Sequence, residues 1–547
     1  MIKKKVLAVI LALTTLSTGL FAGCSFDEEE GNWDAKLEVG VYDGGYGHAY
    51  LDQIIANFHR DYPNYKIEPH YDKTTYFGTN IPNIAYSGDD DMFLASPSYY
   101  DCISQDMYYD LTEIVTTPLN ELVSVSDETE TIEQKLYDDF EEYWGGYHGK
   151  TSKKYYAMPL TSNVWGINYD VGLFDSKSLY KDKNDNWCNL SGDLSLGQDG
   201  IAGTYDDGLP VTYQEWTALL RRIKQVGAIP FIWSSMAGYT YRFTTSVFAS
   251  YEGKENWNTM IDMDGGEYLF GDDTTATAIT AENAYLCATM DGKQYALQFI
   301  KDIIDGGYYD TSSGKSSMDY LTTQDTYVAS IKNAEVNPNT KRVAFIIDGS
   351  YWLTECSTTI NDVAASNPIK YGNRKFGIMP FPKFENQHAT NTTFYADQEF
   401  SAFIRSNCKE VELAKLFYAY LFTDESLKLM TMKSGLITPY DFELSPDERS
   451  QMPKYYQDTW DISHGANGSR AADLCSFAST NNRLVSDNIS FFREKFLWEC
   501  NKSGVSYMQP LVTFKDTTLS VSVADYLTAL SSTYSKSYWD LKFKAYY

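Results

Sequence analysis

Between Leu37 and Tyr71 the apolar residues change period twice, and few folds accept such a segment. Leu37, Val39 and Val41 alternate with other residues, the period of a strand with one buried face. Asp43-Gly44-Gly45-Tyr46-Gly47 follows as a tight turn. Leu51, Ile54, Ile55 and Phe58 then fall at i, i+3, i+4 and i+7, one face of a helix that Tyr62-Pro63 ends. Tyr65 to Tyr71 reads as a second strand and Met92 to Ala95 as a third. A strand, a helix and a strand in so short a space make a crossover, so the strands are expected to be parallel. Ligands of such sheets bind beyond the carboxyl ends of the strands, where Asp43 to Gly47 would lie. The glycines are not a dinucleotide fingerprint, because Tyr50 stands where G-x-G-x-x-G needs glycine. They read as a strand-to-helix turn whose N–H groups face a cleft.

The same alternation continues. Thr212 and Glu215 form a capping box, with Val211 and Trp216 as its apolar staple, and Leu219, Leu220 and Ile223 carry the helix to Gly227. Ala296, Phe299, Ile300 and Ile303 mark another helix, and Leu413, Leu416, Phe417, Tyr420 and Leu421 a third. Arg342 to Ile347 and Phe376 to Met379 suit short buried strands. Strands and helices alternate throughout, so the class is α/β.

The first residues are a targeting segment. Lys3, Lys4 and Lys5 precede the apolar run Val6 to Leu13, which is too short for a membrane span of ~20 residues. Residues 1–23 therefore read as a signal peptide. Residues 24–36, with Asp27 and Glu28 to Glu30, read as an acidic tether whose twelve or so residues reach ~40 Å. The 524 residues left after removal are too many for one core and suit two lobes. Their charge excludes nucleic-acid binding: the whole chain carries −29, and loss of the three lysines makes it −32.

Seven cysteines beyond Cys24 (102, 188, 287, 356, 408, 475 and 500) are an odd set without C-x-x-C, which excludes a full disulfide framework and leaves one or two bridges open. The six histidines lie far apart, with no zinc-site spacing. Tyrosine is unusually abundant at 45, which fits large cores, an aromatic-lined cleft, or both.

Catalytic motifs are missing. Gly314-Lys315-Ser316 ends like a P-loop, but Tyr309 occupies its first glycine position, and no G-x-S-x-G elbow occurs. Asp89-Asp90-Asp91 and Asp206-Asp207 are carboxylate pairs that 74 acidic residues make unavoidable. Asp182, Asn184 and Asn186 begin like a calcium loop, yet Trp187 and Asp193 stand where an EF-hand needs glycine and glutamate. Asp199, Asp206 and Asp207 offer oxygens for a looser structural calcium site, and a solvated insertion is the competing reading. No cofactor is required.

Several segments together resemble the extracellular carbohydrate-binding proteins of ABC importers, the family that includes maltose-binding protein. They are Val41 to Gly47, Tyr156-Ala-Met-Pro159, Trp165-Gly-Ile-Asn-Tyr-Asp170, Gly197 to Pro210, Ile347-Asp-Gly-Ser-Tyr-Trp352 and Gly377-Ile-Met-Pro380, in family order over Leu37 to about Tyr440. Leu20-Phe21-Ala22-Gly23-Cys24 likewise resembles the lipobox of bacterial lipoproteins, which implies a lipidated Cys24 and export to the outer face of the cytoplasmic membrane.

The resemblance implies a periplasmic-binding-protein-like fold of two lobes hinged around a sugar cleft. Crossings are expected near Tyr156 to Pro159, Phe376 to Pro382 and Lys433 to Gly435. They place 35–158 and 383–433 in the N-terminal lobe, and 159–382 and 434–547 in the C-terminal lobe. Family positions that face sugar map onto Asp43, Tyr46, Asn163, Trp165, Trp233, Tyr239, Tyr351 and Trp352, with Asp397 and Gln398 as a looser match. Sugar rings offer C–H faces to aromatics and hydroxyls to carboxylates and amides, so the residue types fit.

The expected partners are a carbohydrate, an oligosaccharide by preference, and the membrane permease subunits of an ABC importer. The membrane is reached only through the lipid, and a monomer is expected. A surface glycoside hydrolase, or a sugar-sensing or adhesion lipoprotein of the same fold, stays open from the residues alone.

Overall fold

A computed structural model describes residues 33–96, 102–103, 105–146, 152–337, 339–398, 400–465, 470–502, 504–507 and 509–547. The signal peptide, Cys24 and the tether up to residue 32 lie outside the described residues. Among the described residues no helix is long and apolar enough to cross a membrane.

The segment from Leu37 to Tyr71 builds the edge of the first sheet. Ala35–Tyr42 pairs in parallel with Tyr65–Asp72 on one side and Met92–Ala95 on the other. Helix Ala49–Asp61 buries Leu51, Ile54, Ile55 and Phe58. Phe58 meets the rings of Phe417 and Tyr420 edge-on at 5.1 and 5.2 Å, which docks a helix from late in the chain onto this early one. Ser401–Ile404 and Met158–Pro159 complete a five-stranded sheet, both running against their neighbours.

The second lobe has a four-stranded sheet in the order Phe376–Met379, Ile167–Asp170, Val343–Ile346, Ile229–Ile232. Asp170 caps the helix after its strand by accepting from Leu173 N at 3.0 Å. Its carboxylate is buried, and Arg342 and Arg374 neutralise it at 2.6 and 2.9 Å. Helix Tyr213–Gln225 covers the sheet, starts on the Thr212–Glu215 capping box and stacks Trp216 on Phe299 at 5.4 Å.

The long helix Ala237–Asp262 breaks at Gly253, whose φ of 75° favours glycine and whose missing Cβ leaves room for Ala389 at 2.9 Å. The C-terminal helices Pro510–Lys515, Val523–Thr533 and Lys536–Phe543 pack on this lobe, where Trp539 Nε1 donates to Ala281 O at 2.7 Å.

Between the lobes lies a three-stranded hinge sheet. Asn163–Trp165 runs against Thr393–Asp397, which runs parallel to Asp473–Cys475. The chain leaves the first sheet at Pro159 and joins the second at Ile167.

The return differs from the sequence expectation of residue 383. Lys383 N bonds Val211 O and Ala389 N bonds Tyr251 O, both in the second lobe, at 2.7 and 2.9 Å. Only from Ser401 does the chain pair with the first sheet, so the crossing falls at Gln398–Ser401 instead of Phe376–Pro382. The strand at Phe376–Met379 is held by Ile167–Asp170 across its whole length, which keeps it and the residues after it in the second lobe.

The last crossing also comes later than Lys433–Gly435. Tyr137 N still bonds Pro439 O at 3.0 Å and Asp441 N bonds Lys135 O at 2.7 Å, whereas Tyr455 Oη already donates to Asn168 Oδ1 in the second lobe at 2.7 Å. All seven cysteines from Cys102 to Cys500 are free thiols.

Candidate functional site

The carboxyl end of the first strand and the hinge strand Asn163–Trp165 converge. Gly45 and Gly47, at φ 94° and 66°, turn the chain so that Tyr46 points inward. Asn163 Nδ2 donates to Tyr46 Oη at 2.8 Å. The ring of Tyr46 meets that of Tyr351, from the second lobe, edge-on at 5.9 Å. Trp165 stands edge-on to Tyr351 at 6.2 Å and to Tyr239 at 5.9 Å, and Tyr239 stacks on Tyr320 at 6.1 Å. The indole Nε1 of Trp165 is buried without a hydrogen-bond partner. Five aromatic rings from both lobes thus form one continuous panel.

Charged and amide groups frame it. Gln324 Nε2 donates to Asp348 Oδ2 at 2.9 Å and to Glu355 Oε2 at 2.7 Å. Burial, then repulsion from Glu355, raises the Asp348 carboxyl well above the usual range. Lys73 of the first lobe lies 3.0 Å from Glu355 and 4.3 Å above the Tyr320 ring. On the hinge side, Arg242 lies 5.7 Å from the Trp165 ring centre and pairs with Asp397, which Arg493 also reaches at 3.4 Å. Burial alone would raise Asp397; the two guanidiniums outweigh it and hold the carboxyl below its ordinary value.

The residues singled out in the sequence therefore separate. Tyr46, Asn163, Trp165, Tyr239 and Tyr351 come together, with Asp397 beside them. Gln398 opens the crossing and accepts from Trp144 Nε1 of the first lobe at 2.8 Å. Asp43 is half-exposed and pairs with His48 at 3.3 Å. Trp233 is buried against Tyr309 at 5.2 Å, with Gly314 over its edge. Trp352 is fully buried against Phe376, Tyr327 and Tyr455 at 4.9, 5.6 and 6.2 Å. Tyr351 and Trp352 are adjacent at a helix start, so one ring faces the cleft and the other the core. The sequence reading missed Lys73, Arg242, Tyr320, Gln324, Asp348 and Glu355. Arg242 had a signal, since it lies one helical turn from Tyr239.

The carboxylates marked for calcium lie elsewhere, near a cavity of about 590 Å³ at the far end of the hinge sheet that Asp199, Tyr205, Asn391, Asp461 and Asp473 help to line. Asp206 accepts from Gln198 N, Asp199 N and Thr204 Oγ1 at 2.6, 3.2 and 3.0 Å, and burial followed by repulsion from Asp199 pushes its pKa up to about 6. Asp207 Oδ2 accepts from Gly203 N at 2.6 Å, while Asp207 Oδ1 and Asp199 Oδ2 are buried without hydrogen-bond partners. Asp182 closes the turn of hairpin Tyr180–Lys181 and Trp187–Cys188 by accepting from Asn184 N and Asn186 N, both at 2.8 Å, so that stretch is a hairpin tip.

Solved structures share this architecture. The solute-binding protein RafE in complex with raffinose matches at TM-score 0.54 and 13% identity, over 91% of this chain and 98% of that one. The apo form of RafE from Streptococcus pneumoniae matches at 0.53, with 13% identity, over 93% and 99%. The GacH receptor of Streptomyces glaucescens, determined unliganded and with acarbose, matches at 0.51 and 12% identity over 94% and 99%. No curated protein sequence matches the chain. At these identities the structures establish the two-lobe fold. A sequence model of the bacterial extracellular solute-binding proteins matches residues 44–428, and the chain belongs to that family.

Proposed function

We propose that the chain captures a carbohydrate, an oligosaccharide by size of the panel, between two closing lobes and delivers it to the membrane permease of an ABC importer. The observation that carries this is the shared aromatic panel: Tyr46 from one lobe and Tyr239, Tyr320 and Tyr351 from the other, with Trp165 at the hinge. Ring faces for stacking and the Asn163, Gln324, Asp348 and Glu355 groups for hydroxyls are what a sugar needs; the second lobe supplies most of both kinds, and Tyr46 of the first lobe closes the panel. The ligands named for RafE and GacH, raffinose and acarbose, support the class.

The protein works by binding, without turnover. Asp348 and Glu355 share one amide nitrogen on the same wall, and Glu355 is also engaged by Lys73, an arrangement poorly suited to acid and nucleophile on either side of a glycosidic bond. The mature chain is a monomer held by a lipid on Cys24. Its lobes divide at the hinge sheet. Calcium enters as a structural ion at Asp199, Asp206 and Asp207, supported by the two partnerless oxygens there.

The test is a calorimetric screen of oligosaccharides, followed by X-ray scattering with and without the best binder. Saturation should shrink the radius of gyration; an unchanged radius, or release of sugar products from that binder, overturns the reading.

A further inference from the structure

The outer face of the first lobe's sheet gathers three side chains that the sugar site does not use. Glu38, His70 and Asp90 each present a ligand atom, and these atoms all lie within 4.8 Å of one another. Strand register puts them there. Glu38 lies opposite Glu68 and Gly40 opposite His70, so Glu38 and His70 share one face as diagonal neighbours of two parallel strands. Asp90 enters from the other flank, where the next residue, Asp91, bonds Glu38 O through its N–H at 2.9 Å. Glu38 and His70 are thus mounted on the sheet, and Asp90 on the loop that leads into its third strand.

Asp90 is also held from behind. Its Oδ1 lies 2.6 Å from His70 Nδ1, and its Oδ2 accepts from Tyr76 Oη at 2.8 Å. Tyr76 is buried over Gly40, where a Cβ would run into its ring, so the glycine makes room for the phenol that aims the carboxylate. The other two remain open to solvent, with the His70 and Glu38 side chains 40% and 32% exposed. Lys36 lies 3.1 Å from Glu38, but it pairs more closely with Glu68 at 2.6 Å and keeps that partner if Glu38 turns away.

We propose that Glu38, His70 and Asp90 form a binding site for a divalent transition metal such as zinc. One imidazole and two carboxylates match its nitrogen and oxygen preference, neutralise its charge and leave a fourth position for water. Tyr76 supplies the outer hydrogen bond that ligating carboxylates generally carry. The imidazole separates this site from one for calcium, which takes oxygen ligands.

Titration of the whole chain with zinc chloride, followed by calorimetry, should give one tight ion per chain. His70→Ala should abolish that phase, and Tyr76→Phe should weaken it about tenfold through the carboxylate it no longer steers. Cobalt(II) in place of zinc should give the visible absorption of a four-coordinate ion, lost in His70→Ala. Zinc bound equally well by His70→Ala, or only as a weak multiple phase spread over the acidic surface, overturns the site.

Discussion

Lys73 and Glu355 join the two lobes: the ammonium lies 3.0 Å from a carboxylate whose side chain is only 5% exposed. Burial alone would lower the Lys73 pKa; the Glu355 charge and Tyr320 outweigh it and hold the amine protonated. A ligand that favours the closed form is held in by this pair as well as by its own contacts. Lys73→Met should speed sugar dissociation about tenfold, equivalent to ~1.4 kcal/mol. Stopped-flow release shows this directly, and an unchanged off-rate means the pair does not help to hold the lobes together.

Tyr351 and Trp352 should separate binding from stability. Tyr351→Ala removes a ring from the panel and should cost ~2 kcal/mol of sugar affinity, roughly thirtyfold. Trp352→Ala empties a core position and should cost ~3–5 kcal/mol of stability, while chains that fold still bind. Calorimetry and denaturant melts on both variants decide it; the opposite pattern would place the Trp352 ring in the cleft.

Lys293 sets a pH dependence. It is fully buried, its Nζ donates to Phe496 O at 3.3 Å, and burial pushes its pKa down to about 7 from 10.5. Below about pH 7 both folded and unfolded chains carry the proton, so the burial penalty is complete. Between there and 10.5 the unfolded chain binds a proton that the folded one lacks, and stability rises with pH. Lys293→Met should be more stable than the parent at pH 6 and flatten this rise. Urea melts from pH 6 to 10 measure it, and parallel curves for the two proteins refute it.

Calcium should raise the melting temperature through the Asp199–Asp207 loop. The gain expected at a hundredfold excess over Kd is ~2.7 kcal/mol, and Asp207→Asn should abolish it. Identical melting in calcium and in chelator means that the loop holds no ion.

Cys24→Ser should release the protein from the membrane and abolish fatty-acid labelling. Persistent labelling assigns the anchor to another residue.

The local grammar of the chain was readable, and its long-range partners were not. Apolar period, joined by a capping box at Thr212–Glu215, placed the helices at Ala49–Asp61, Tyr213–Gln225, Asp291–Asp305 and Val411–Leu421. Nothing in Thr393–Asp397 says which sheet it joins: every residue in it is buried, so no polar face marks an edge, and Asn163–Trp165 settles the matter from a distance. The pair Tyr351-Trp352 shows the same limit at a finer scale, because two adjacent aromatics have equal claims until the helix start turns them apart. Lys73 and Glu355 were invisible for another reason, being ordinary surface charges until closure puts 282 residues of sequence separation into one contact.

The placement of Ser401–Ile404 and Asp473–Cys475 sets an order of events. One is an interior strand of the first sheet, between Met92–Ala95 and Met158–Pro159; the other closes the hinge sheet. A chain emerging amino end first, from a ribosome or a translocation pore, therefore cannot finish even its first lobe until about four hundred residues are out. Until then the sheet ends in an unpaired edge, and the nascent protein stays threadable.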